Sequence, residues 1–239
     1  MKKKFAVLLT GLLIIGLAAQ TQLARAAAAK EKPKVEAPAG TAHVRLLQAI
    51  PNGPALKVAL NDKAVADNLA AGTVSNYFDV PSGKCHIVFT GTDGKTKVWN
   101  STRTVQPDTY YTAAVYLDEG KTSLLLQDES STKITTGKAR IYFYNLSPDA
   151  GDVRITVASK RAKAGYVQWL KRVRQGATYS KSASTGDFTL QIRQGEKILK
   201  EIPNFKVAAG QRSSVFILGN ANALNVVTKA AGASAPAPK

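Results

Sequence analysis

Cysteine is almost missing from this chain, and that is its first constraint. Cys85 is the single cysteine among 239 residues, so no internal disulfide can hold the fold and each core must suffice by itself. It sits in Lys84-Cys85-His86-Ile87-Val88-Phe89, an alternating strand pattern in which a small buried core residue is the fitting reading. Histidine is nearly as scarce, with only His43 and His86. Nucleophilic catalysis of the Ser-His-Asp or Cys-His kind needs a histidine within hydrogen-bond reach of its nucleophile. Cys85 and His86 are neighbours, and neighbours on a strand point to opposite faces, so they do not form a dyad. There is no Gly-x-Ser-x-Gly elbow and no Cys/His set at zinc spacing. Asp62, Asp67 and Asp93 are scattered and follow no calcium-loop pattern. Gly91-Thr92-Asp93-Gly94 and Gly210 are turn chemistry rather than a phosphate loop. The expectation is a protein that is not an enzyme, with no catalytic residue, no cofactor and no metal.

Acidic residues are also few. Against 33 Lys/Arg there are 16 Asp/Glu, a formal net charge of +17. From Thr41 to Glu129 the chain has 8 Lys/Arg and 9 Asp/Glu, whereas from Lys138 to Lys229 it has 16 and 5. The basic character therefore belongs to the second half, which bears on partners and solubility rather than on fold.

One long apolar run exists, at the start. Lys2, Lys3 and Lys4 precede Phe5–Ala19, and Ala24-Arg25-Ala26 offers a small-x-small cleavage site. This is the pattern of a secretory signal peptide over residues 1–26. The run is shorter than a comfortable membrane span, and no later stretch is apolar enough for one. The expected location is the periplasm or beyond, with no membrane span after cleavage. Residues 27–40 (Ala-, Lys-, Glu- and Pro-rich) read as a flexible leader, and residues 230–239 as a disordered tail.

Between these ends the apolar period is two. Leu56–Leu60, Thr73–Val80, Lys84–Thr90, Thr96–Val105, Tyr110–Leu117 and Ser123–Gln127 are strand patterns separated by Gly, Pro, Asn and Asp turns, as in a sandwich or barrel. The Tyr110-Tyr111 pair reads as a strand corner with one ring inward and one outward. The second half repeats the order. Ala42–Asn52 and Ala139–Asp149 are matching strands that each stop at a Pro followed by Asn or Asp. Leu56, Val58 and Leu60 match Val153, Ile155 and Val157, and Val105–Asp108 matches Val207–Gly210. The spacing grows between Val157 and Gly186, which places an insertion in Ser159–Gln175, a stretch without a close counterpart in the first half. The fold class expected is all-β: two tandem antiparallel β-sandwich domains, Ig-like or jelly-roll-like, after a signal peptide. They cover residues 41–129 and 138–229, with a polar linker at 130–137.

Several of these passages resemble known families. Ala42–Ala49, the turn Pro81-Ser82-Gly83, and Asp108-Thr109-Tyr110-Tyr111-Thr112 are similar to the DUF4397 type of exported β-domain. The two-domain layout resembles the periplasmic alginate-biosynthesis accessory (AlgF) family, through Ala37–Arg45, Ala139–Ser147, Ala209–Arg212, Phe216–Gly219 and Ala223-Leu224. That resemblance implies a non-catalytic accessory of exopolysaccharide O-acetylation, with periplasmic or membrane O-acetyltransferase proteins as partners. The DUF4397 likeness by itself implies a structural protein of the envelope or matrix.

One constellation has binding chemistry. Lys160, Arg161, Lys163, Lys171, Arg172, Arg174 and Lys181 are seven cations with no acid among them, interleaved with Tyr166 and Trp169. Tyr166, Trp169 or Leu170, and Val173 share a face if the segment is helical, whereas Gly165 and Gly176 favour an extended form, and both readings stand. Aromatic rings that stack on sugars beside Lys and Arg that pair with uronate or phosphate suit an anionic polysaccharide or a partner protein. The plain alternative is a solvated edge whose like charges discourage pairing. Nucleic acid would suit the charge, but an export signal argues against it.

Overall fold

Strand order is what positions every candidate residue. The computed structural model describes residues 40–130, 132–159 and 165–231, within one compact unit, Ala37–Lys239. The expected signal peptide and most of the expected leader and tail, with Lys160, Arg161 and Lys163, lie outside the described residues. The described residues contain strands and turns only. The first eight strands are β1 (Thr41–Gln48), β2 (Leu56–Leu60), β3 (Lys63–Leu69), β4 (Val74–Pro81), β5 (Gly83–Gly91), β6 (Lys97–Val105), β7 (Tyr110–Asp118) and β8 (Lys121–Asp128). The next eight are β9 (Lys138–Asn145), β10 (Val153–Ser159), β11 (Val167–Val173), β12 (Ala177–Ser184), β13 (Gly186–Gln194), β14 (Lys197–Val207), β15 (Arg212–Leu218) and β16 (Asn225–Ala230).

They form four sheets, and the second two repeat the first two. Sheet A runs β4-β1-β7-β8 and sheet B runs β3-β2-β5-β6; sheet C runs β12-β9-β15-β16 and sheet D runs β11-β10-β13-β14. Alternation builds the two cores. Val44, Leu46, Leu56, Val58, Ile87 and Phe89 meet between A and B, and Ile141, Phe143, Ile155, Leu190, Ile192 and Val215 meet between C and D. The sandwich class is as expected, but the sheets are not wholly antiparallel. β1 runs parallel to β7, and β9 runs parallel to β15, because the opening strand of each half slots between a middle and a late strand. Two-residue hairpins with positive φ at Asn61-Asp62 and Glu119-Gly120 match the right-handed strand twist.

Two sequence expectations need correction. Ser159–Gln175 is not a segment without a counterpart. Its strand β11 occupies the place of β3, with the same exposure pattern along its seven residues. The extra length falls in the connection from β10 to β11, where the first half has only Asn61-Asp62. Neither edge strand alternates cleanly, so its period gave no signal; β3 went unread for the same reason. Val167–Val173 is a strand, and the helical alternative is set aside there. At the other end, Ala230 completes β16 and Ala231 is buried, so the packed chain reaches beyond the expected start of the tail.

A third core lies between the halves. Leu47, Ala114, Tyr116, Tyr144, Phe216 and Leu218 bury one another, so the outer face of sheet A packs on the outer face of sheet C. The layers are therefore stacked B-A-C-D, with sheets B and D outermost. The strands β1, β7, β9 and β15 are buried on both faces and read as nearly continuous apolar runs.

Candidate functional site

The expected basic cluster is only partly assembled. Lys171, Arg172 and Arg174 are exposed at or just after β11, the edge of sheet D. Arg172 is held by Asp152 through its Nε, whereas Lys171 and Arg174 form no ion pair among the described residues. Lys181 belongs to β12, the edge of sheet C, opposite Ile141. That register gives it the inward side of an open edge, where a charge resists edge-to-edge pairing. Trp169 does not face solvent as a stacking ring. It packs on the second core and meets Phe188 edge-on at 5.1 Å. Tyr166 is the exposed aromatic, at 45 %.

Tyr166 reaches over the outer face of sheet D. Its hydroxyl donates to Glu201 Oε2 at 3.0 Å, and Gln191 Nε2 donates to the same oxygen at 2.7 Å. These bonds hold the Glu201 carboxyl below the usual range, Gln191 first and Tyr166 second, while desolvation pushes the Tyr166 phenol up. Gln191 is buried on what would otherwise be a solvent face. Arg154 and Arg193 stand opposite each other on β10 and β13 and share the exposed Glu196. The face is thus a mixed, largely self-paired surface. Arg154, Gln191, Arg193 and Glu201 escaped the sequence reading because their spacing on the chain hides their adjacency on the sheet.

Each histidine pairs with an aspartate through Nδ1. His86 is on the outer face of sheet B, while Cys85 on the inner face is fully buried, as strand parity requires. His86 Nδ1 lies 3.0 Å from Asp62 Oδ1, and Nε2 lies 2.7 Å from Asn100 Oδ1. Two acceptors favour the doubly protonated ring, and its pKa is raised by Asn100 first and Asp62 next. A general base needs a free lone pair facing a nucleophile, and this arrangement uses both nitrogens as donors. His43 pairs with Asp79 at 2.6 Å and stacks on Tyr110 at 4.3 Å. Tyr110 faces outward and Tyr111 inward, where the Tyr111 hydroxyl accepts from the Gln106 N–H at 3.0 Å. Burial pushes the Cys85 thiol up. Among the described residues no three His, Cys, Asp or Glu gather as a metal site.

The densest polar network is between the halves, and the sequence reading missed it. Arg45 on β1 and Glu129 just after β8 have side-chain exposures of 2 % and 0 %. Arg45 Nη2 donates to both Glu129 oxygens, at 2.8 and 3.0 Å, and to Ser214 Oγ at 2.7 Å. Its Nε donates to Thr112 at 2.8 Å and its Nη1 to the Ala230 carbonyl at 2.7 Å. Glu129 also accepts from Tyr77 at 2.8 Å, Tyr144 at 2.6 Å and Ser214 at 2.5 Å. The Tyr142 hydroxyl donates to the Glu129 carbonyl at 2.7 Å. Burial, then the Glu129 carboxylate, drives the Tyr144 phenol far up. The Arg45 guanidinium also lies over the rings of Tyr77 and Phe216, at 5.1 and 5.3 Å. Every charge-bearing atom here is spent on the joint. A cleft of about 260 Å³ opens at the end of the joint beside Pro51, Asn52, Gly72, Asn220 and Asn225, with no titratable side chain in its lining.

Residues 42–156 match the profile of DUF4397, a domain of unknown function; the match spans the first sandwich and runs into β10. No curated protein matches the chain in sequence. Among solved structures, the tip fimbrial protein Mfa3 of Porphyromonas gingivalis is similar at 8 % identity, over 82 % of this chain and 100 % of that one, with a TM-score of 0.32. A protein named for cell adhesion from Bacteroides ovatus follows at 10 % identity, 80 % and 96 % coverage and a TM-score of 0.29. An alpha-glucan-binding streptococcal virulence factor gives 11 % identity, 76 % and 95 % coverage and a TM-score of 0.25.

Proposed function

We propose that this is a non-catalytic, exported protein of the cell envelope or extracellular matrix, a stacked pair of DUF4397-like sandwiches that presents its outer sheets to partners. The observation behind this reading is where the polar chemistry sits. The Arg45–Glu129 network is sealed between the halves, both His86 nitrogens are occupied, and Cys85 is buried. Surface is what remains for function, and sheets B and D form the two ends of the stack. No helix among the described residues is long and apolar enough to cross a membrane.

The finer reading is an accessory role in O-acetylation of an anionic exopolysaccharide, with acetyltransferase proteins as partners. It rests on the AlgF-like passages. Two of them, Ala37–Arg45 and Ala139–Ser147, contribute β1 and β9, whose Arg45, Tyr142 and Tyr144 build the joint. Much of what they support is thus shared architecture, and the envelope reading is the stronger. Deleting the gene and measuring acetate on the secreted polysaccharide separates the two: loss of acetate with polymer yield intact favours the accessory role, and unchanged acetate refutes it. Polymer binding at β11 is tested by Lys171→Ala, Arg172→Ala and Arg174→Ala together. Lower retention of this variant on an anionic polysaccharide column at low salt is expected, since exposed charges act within a Debye length of about 10 Å at 0.1 M. Lys171 and Arg174 should account for most of it, because Asp152 already neutralises Arg172. Unchanged retention removes the polymer from the proposal.

A further inference from the structure

The joint between the halves has a symmetry that its side chains conceal. Register defines which residues are equivalent. In sheet A, His43 stands opposite Tyr110, and in sheet C, Arg140 stands opposite Arg212. In the same sheets Tyr111 faces Asp128 and Ser213 faces Ala230. Equivalent backbone bonds follow: the Glu129 N–H donates to the Tyr110 carbonyl at 2.8 Å, and the Ala231 N–H to the Arg212 carbonyl at 2.9 Å. The Ala49 N–H donates to Val115 at 2.8 Å, and the Leu146 N–H to Ile217 at 2.9 Å.

By this equivalence Leu47 corresponds to Tyr144, Ala49 to Leu146, Ala114 to Phe216, and Tyr116 to Leu218. All eight belong to the core between the halves. The same face of each repeat is therefore buried against its own counterpart, which is the geometry of an isologous dimer. The side chains have diverged in a consistent direction. At three of the four pairs the first half has the smaller residue and the second the larger. The charges are divided as well: Arg45 corresponds to Tyr142, Thr112 to Ser214, and Glu129 to Ala231. Two first-half faces would leave voids and bring two Arg45–Glu129 pairs together. Two second-half faces would press two Tyr144–Phe216 ring pairs together and offer no charge for the hydroxyls. Only first with second fills the volume and pairs the polar groups.

We propose that the chain is a dimer of one domain fused through residues 129–137, whose interface now accepts only a first half against a second half. The covalent link is not what holds the halves together, so the partner that fits either face is the complementary half of a second copy of this chain.

The test uses the full chain with a specific protease site inserted after Thr132, in the linker. After cleavage the two pieces should co-elute at the position of the uncut protein, with an unchanged amide NMR spectrum away from the cut. Next, two cleaved preparations, one labelled with nitrogen-15, are mixed, unfolded and refolded. Native mass spectrometry should then show first–second pairs of both mixed and matched label. Pieces that separate after cleavage, or a piece that precipitates, would overturn the claim that the joint holds without the link. First–first or second–second pairs after refolding would overturn its selectivity.

Discussion

Removing the Glu129 carboxylate should be among the most damaging single changes available in this protein. Glu129→Ala leaves the Arg45 guanidinium buried with only the Thr112 and Ser214 hydroxyls and the Ala230 carbonyl as acceptors. It also strips the Tyr77, Tyr144 and Ser214 hydroxyls of an acceptor. Breaking a buried ion pair from one side costs about 3–5 kcal/mol, because the remaining charge stays desolvated. Arg45→Met strands the carboxylate instead and should cost a similar about 3–5 kcal/mol. The double variant leaves no unpaired charge. Its residual cost is the unsatisfied hydroxyls, about 1–3 kcal/mol each where they find no other partner. The two single losses should therefore not add, and a coupling of about 3 kcal/mol is expected from the double-mutant cycle. For a chain of this size each single change corresponds to a fall in Tm of roughly 10 °C, at about 2–4 °C per kcal/mol. Urea unfolding followed by circular dichroism, on wild type, both singles and the double, reads all four corners. In a parallel thermal melt a Tm loss under roughly 2 °C for Glu129→Ala, well below that scale, or in urea a strictly additive double variant, would show that the network does not bind the halves.

The remaining predictions address packing, the thiol and one histidine. Gly176→Ala should cost about 2 kcal/mol, since left-handed backbone costs a non-glycine residue about 1–2 kcal/mol and the new Cβ would lie 2.7 Å from Tyr116 Oη at φ +68°; in a Tyr116→Ala background thermal melts should show only the backbone part. Cys85 should resist aromatic disulfide reagents in the native protein and react at once in guanidinium, because burial keeps it a protonated thiol and the thiolate is the reactive form; fast native labelling would contradict its place in the core. His86 should titrate above its ordinary 6.5 by NMR, and Asp62→Asn or Asn100→Ala should move it down. With the folded pKa raised, the stabilisation it provides is complete below the unfolded pKa and is lost as pH rises through the folded value. A pKa unmoved by either substitution would refute the two-acceptor reading.

Much of the fold was legible because the inner strands alternate. Val44, Leu46, Leu56, Val58 and Leu60 lie on the core side of their strands, and parity alone separates Cys85 from His86. The repeat was legible for the same reason, since Ala42–Asn52 and Ala139–Asp149 open the two halves as β1 and β9 with their loops. What hid was the edge. β3 and β11 are exposed along most of their length, so neither needs alternation, and the chain there offers composition without period. The parallel pairing of β1 with β7 is likewise invisible, because the bond partner lies far along the chain.

The site was harder to read, and Arg45 shows why. Searching for what is not duplicated directs attention to the basic segment, where Trp169 proves to be core, Arg172 is paired and Lys181 belongs to another sheet. The sequence did hold a signal for the joint. In Ala139–Asn145 both faces of the strand are apolar or aromatic, with Ile141 and Phe143 on one side and Tyr142 and Tyr144 on the other. A strand of a two-layer sandwich has no use for a second such face unless something covers it. The face that covers it is the equivalent strand, and an arginine opposite two tyrosine hydroxyls calls for a buried acid. Glu129, placed by the end of β8, supplies it. Conserved architecture and specialised chemistry thus coincide in the strands that look most alike, and the difference between the copies lies in which one provides the charge.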